Sequence, residues 1–107
     1  MVGEGEYPAF SPRGQEIAFA KQGSDYEIFL MNKDGTNIRQ LTSNEVDDVE
    51  PLFSPSGERI AYSSGNIIYL MRRDGSKQTK VVEGTRLVFS PDGNSLAFLY
   101  FIVSSIT

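Results

Sequence analysis

The chain has 107 residues, with ten Lys and Arg against 14 Asp and Glu and a net charge of −4. That length argues for one small domain, and that charge argues against a basic nucleic-acid binder. With no Cys and no His, disulfides, thiolate nucleophiles, zinc ribbons, a Ser-His-Asp triad and any His-ligated metal are excluded.

Residues 1–7 read as an N-terminal extension. They carry Glu4 and Glu6 but no Lys or Arg, unlike a signal peptide. At Pro8 a first unit begins with Pro8-Ala9-Phe10-Ser11-Pro12-Arg13-Gly14. Ser-Pro-x-Gly places Ser at the first, Pro at the second and Gly at the fourth position of a type I turn. Apolar runs follow at Ile17–Ala20 and Ile28–Met31. Asp34-Gly35 then supplies a positive-φ hairpin turn before a last run, Ile38–Thr42. The runs are short, β-branched or aromatic, and separated by turn signals, so they predict four strands and no helix.

The unit then recurs. Pro51-Leu52-Phe53-Ser54-Pro55-Ser56-Gly57 repeats the opening motif, followed by Ile60-Ala61-Tyr62, Ile68-Tyr69-Leu70-Met71, Asp74-Gly75 and Val81-Val82. A third copy starts at Leu87-Val88-Phe89-Ser90-Pro91-Asp92-Gly93 and continues to Leu96-Ala97-Phe98. The differences in length between units fall in loops. The predicted divisions are therefore 8–50, 51–86 and a partial 87–107. The closing run from Leu96 to Ile106 is too short for a membrane helix and reads as a buried strand, or as an edge that needs a partner.

The second strand of each unit turns Ile17 and Phe19, Ile60 and Tyr62, or Leu96 and Phe98 to one side, and Ala18, Ala61 or Ala97 to the other. One face is bulky and one small, and both are apolar, so both must be covered. Four-stranded sheets of about 40 residues, stacked large face on small, are propeller blades. Met31 and Met71 end apolar strands at matched positions and are expected in the core.

Acidic residues cluster between the first two units at Glu45, Asp47, Asp48 and Glu50, with no cation between Arg39 and Arg59. They are candidates for a protein-binding surface and, more weakly, for calcium, whose ligands are hard oxygens. A solvated loop with Asp48 bonded to turn backbone is the competing reading. Arg72, Arg73, Lys77, Lys80 and Arg86 give the second unit the opposite bias, most simply as a solvated outer hairpin. Asn32 to Asn37 lacks the ligand spacing of a calcium loop. Ser11, Ser54 and Ser90 have no base, and no G-x-S-x-G occurs, so no nucleophile is predicted.

The pattern Pro-x-Phe-Ser-Pro-x-Gly-x-x-Ile-Ala-Phe, then Ile-Phe-Leu-Met-Asn-x-Asp-Gly-x-x-x-Arg-x-Leu-Thr, resembles the TolB-like β-propeller repeat family over residues 8–98. That WD-like repeat also resembles the propellers of prolyl-oligopeptidase-type peptidases. The resemblance implies an all-β partial propeller of about two and a half blades. A closed ring has four to eight blades, so a longer parent or self-assembly through exposed blade faces is expected to complete it. It further implies a periplasmic, non-catalytic module that binds a protein partner, with no cofactor, no nucleic acid and no membrane insertion. The alternative is a fragment of a gating propeller from a prolyl-oligopeptidase-like serine peptidase, without the catalytic domain.

Overall fold

The computed structural model describes residues 5–99. The end of the Leu96–Ile106 run and residues 1–4 lie outside that range. Among the described residues all regular structure is β. The first sheet comprises β1 (Glu6–Phe10), β2 (Glu16–Gln22), β3 (Tyr26–Asn32) and β4 (Arg39–Gln40). The second comprises β5 (Asp48–Phe53), β6 (Arg59–Ser64), β7 (Ile67–Arg72) and β8 (Thr79–Glu83). Each is an antiparallel meander in chain order, and β9 (Thr85–Phe89) pairs with β10 (Leu96–Leu99) in a third, two-stranded sheet.

The repeated turns act as the sequence suggests. Gly14, Gly57 and Gly93 donate their N–H to the carbonyls of Ser11, Ser54 and Ser90 at 2.8, 2.8 and 2.9 Å. In each copy the Ser hydroxyl also accepts the N–H that reopens the next strand: Glu16 at 3.0 Å, Arg59 at 3.1 Å and Ser95 at 3.0 Å. The side chain thus takes an acceptor role that a backbone carbonyl fills in a tighter hairpin. Replacing buried Ser54 by Ala should destabilise the fold by about 1 kcal/mol, measurable as a lower urea midpoint with an unchanged m-value.

The Asp-Gly hairpins form with a positive-φ glycine, as the sequence suggests. Gly35 alone takes positive φ (86°), with its N–H on the Asn32 carbonyl and the Asn32 N–H on the Thr36 carbonyl. This is a three-residue loop, a type I turn followed by a left-handed glycine. The Asp34 carboxylate is used differently, accepting from the Thr36 N–H at 3.0 Å and hydroxyl at 2.6 Å. The fourth strand of the first sheet is also shorter than Ile38–Thr42. Asn37 sits at φ 54°, and Leu41 and Thr42 both direct their N–H at the Ile28 carbonyl, so regular pairing is confined to Arg39 and Gln40.

The innermost strands begin two or three residues ahead of the repeat motif. Tyr7, Glu50 and Arg86 occupy φ 56°, 55° and 58°, each just before Pro8, Pro51 or Leu87. In the two complete sheets the register shifts at this point, as a bulge requires.

The main core lies between the complete sheets. Ala18, Ala20, Ile28, Leu30 and Leu41 of the first pack against Phe53, Ile60, Tyr62 and Met71 of the second. The predicted fit of small face to bulky face is therefore present. Ile17, Phe19 and Met31 form a separate cluster on the far face of the first sheet, with Phe29 against it. Met31 and Met71 are both buried, as expected. The aromatic pairs Phe19–Phe29 and Tyr62–Tyr69 are direct cross-strand neighbours stacked at 5.7 Å in each sheet, a repeat visible in three dimensions as well as in sequence.

Candidate protein-binding site

Antiparallel order places alternate connections at opposite edges of the stack. At one edge lie the segments 22–26, 40–48, 64–67 and 83–85. Their charged residues are Asp25, Glu45, Asp47, Asp48 and Glu83, all acidic. The Ser-Pro-x-Gly and Asp-Gly turns occupy the other edge. There Arg13, Lys33, Arg39, Arg59, Arg72, Arg73 and Lys77 outnumber the acids. Three of those acids are committed to their own turns. Hydrogen bonds from Thr36, Ser76 and Ser90 hold the carboxyls of Asp34, Asp74 and Asp92 below the usual carboxylate range. The separation of charge is a property of the topology, since the chain visits the two edges alternately.

The basic edge also joins the sheets. Arg39 reaches Glu16 Oε2 at 2.6 Å, and Arg73 of the second sheet pairs with Glu16 Oε1. Gln78 Nε2 donates to the Leu41 carbonyl at 3.1 Å. A cleft of about 490 Å³ runs between the first two Ser-Pro-x-Gly turns beside this clasp. The cations of the second unit are thus partly structural, Arg73 most clearly.

At the acidic edge, the four residues singled out in the sequence do different things. Asp48 is fully buried, so it presents nothing to a partner. It accepts from Asn44 Nδ2 at 2.6 Å rather than from turn backbone. Asp47 is exposed, and its Oδ1 accepts the Tyr26 N–H at 2.9 Å, tying the link to the start of β3. Glu45 and Glu50 are exposed, the latter held in its left-handed bulge. Val46, 46% exposed, sits between Glu45 and Asp47 and gives the loop an apolar tip. Among the described residues no group of three or more acidic side chains is arranged to hold a metal ion. The loop does not bring its carboxylates to one point.

Sequence reasoning missed Glu27 and Asn44. Glu27 is buried and accepts from the Thr42 hydroxyl and the Asn44 N–H, both at 2.8 Å. A cleft of about 240 Å³ beside it is lined by Gly23, Asp25, Gln40 and Asn44 among others. A charged residue in an otherwise apolar strand, Tyr26-Glu27-Ile28-Phe29, was the available signal. Tyr26 donates its hydroxyl to Glu6, and that bond pushes the phenol pKa up, which adds a second tie across the same edge.

Comparison with known proteins agrees with this architecture. The TolB beta propeller domain family matches residues 1–101. The Tol-Pal system protein TolB of Nitrosomonas europaea is 46% identical over 61 residues, 56% of this chain and 14% of that protein. The protein of the same name from Geobacter metallireducens is 43% identical over 74 residues, 66% of this chain and 17% of that protein. The crystal structure of TolB from Acinetobacter baumannii superposes with a TM-score of 0.80 at 22% identity, covering 94% of this chain and 27% of that one. The chain thus spans only a minor part of the relatives it matches.

Proposed function

The chain belongs to the TolB β-propeller family, and from that premise we propose that it is a non-catalytic protein-binding module whose acidic edge meets a partner. The observation that carries this reading is the one-signed charge of the connections at that edge, where Glu45, Asp47 and the Val46 tip are all exposed. Such a surface steers and orients a partner with a basic face. The relatives are named for the Tol-Pal system, so a component of that system is the first partner to test, in a periplasmic setting. Further blades, from a longer chain or from other copies, complete the ring. No residue of this chain favours the alternative of a peptidase gating propeller.

The test is calorimetric titration of Tol-Pal components with the native chain and with a Glu45→Lys/Glu50→Lys variant. Reversal should weaken binding by about tenfold and flatten its dependence on salt. Unchanged affinity in a folded variant would move the interface elsewhere. Failure of the native chain to bind any component would remove the Tol-Pal assignment.

A further inference from the structure

Two carboxyl groups lie at the seam between the complete sheets, where apolar packing does not account for them. Glu27 of β3 is 8% exposed and Asp48 of β5 is 0% exposed. Asn44 bridges them, its N–H on Glu27 Oε2 and its Nδ2 on Asp48 Oδ2. Asp48 Oδ1 is buried without a hydrogen-bond partner. Both described ion pairs belong to Glu16 at the opposite edge, and neither involves Glu27 or Asp48.

Among the described residues no cation stands within ion-pair distance of either carboxyl. Lys21, opposite Glu27 in the β2–β3 register, lies with its Nζ 5.8 Å from the centre of the Phe29 ring. Asp25 and Asp47 approach from the two connecting segments, and Tyr62 and Tyr69 from β6 and β7. Burial, then the charge of Asp48, pushes the Tyr62 phenol up, so it stays neutral. Two buried negative charges without a cation repel, and desolvation disfavours each charged form.

We propose that the buried carboxyls of Glu27 and Asp48, bridged by Asn44, make the seam a pH-sensitive latch, which tightens as the solution is acidified and Glu27 takes up a proton. Burial pushes the Glu27 carboxyl up, with Asp25 and Asp48 adding, and this outweighs the bonds from Asn44 and Thr42 that favour its charged form. A carboxyl raised on folding stabilises fully below its ordinary value and loses that contribution as pH climbs through the folded one. Asp34, Asp74 and Asp92 act in the opposite sense, since their lowered values contribute at neutral pH and are lost only in stronger acid. Stability should therefore peak under mildly acidic conditions.

The experiment is urea unfolding of the whole chain between about pH 8 and about pH 5, beside carbon-detected titration of the Glu27 side chain. The native midpoint should rise as pH falls, and Glu27 should titrate above the ordinary glutamate range. Asp48→Asn should match the native chain near pH 5, exceed it near pH 8 and flatten the slope in part, while Glu27→Gln should lose most of it. A native midpoint that is flat or falls over this window, or a Glu27 titration at or below the ordinary value, overturns the proposal. Those two native measurements decide the matter even if Asp48→Asn does not fold.

Discussion

Tyr62→Ala is expected to lower stability by about 3–5 kcal/mol, a large share of a typical domain's margin of roughly 5–15 kcal/mol. Tyr62 is 2% exposed, stacks on Tyr69 and sits in the cluster that faces Ala18 and Ala20. Truncation removes a large apolar area and leaves a cavity on a seam where the nearest part of the opposite wall includes the small Ala18 and Ala20. The repeat supplies an internal control. Phe98 occupies the corresponding position of the third unit but is 38% exposed, so Phe98→Ala should cost about 1 kcal/mol or less. Thermal and urea unfolding of the two variants would read this difference. Equal losses would mean that the sheets do not stack large face on small.

The second large effect concerns Gly75. It has φ 90°, and a Cβ built there would lie 2.9 Å from the Leu41 carbonyl oxygen and 3.2 Å from the Leu41 Cα. Those atoms are backbone of the other sheet and cannot swing aside. Gly75→Ala should therefore combine the left-handed penalty, about 1 kcal/mol, with a separation of the sheets that adds about 1–3 kcal/mol. Gly14 also has positive φ (72°) but nothing within 4 Å of its Cβ position. Gly14→Ala should show the conformational penalty alone. The difference between the two midpoints isolates the close approach, and its absence would show that the turn of the second sheet does not seat on the first.

Much of this fold was legible in the sequence because the repeat reports the same physics more than once. Ser11, Ser54 and Ser90 each close a hairpin in the same way, and the alternation around Ala18 and Ala61 foretold which side chains meet across the seam. The acidic candidates were less legible. Glu45, Asp47, Asp48 and Glu50 are near neighbours in sequence, yet Asp48 opens an inner strand and is drawn inside while Asp47 binds the start of β3. Composition cannot separate them, because the distinction depends on where strand pairing begins. The strand pattern also gave no warning of the bulge that places Glu50 at φ 55°. Asp25 and Glu83 belong to the acidic edge through strand order alone, being far from the link in sequence. Glu27 was hidden for a related reason: its partners Thr42 and Asn44 lie 15 and 17 residues away, in a link whose course is set by the docking of the second sheet.

The central claim is that the first two sheets are consecutive blades that stand or fall together. Native-state hydrogen exchange, resolved by residue across increasing urea, tests it most directly. Amides of β2, β3, β6 and β7 should open with one common free energy and one common urea dependence, and those of β9 and β10 at lower cost. If β2 and β3 instead open separately from β6 and β7, each with its own dependence, the sheets are independent hairpin stacks and the account is contradicted.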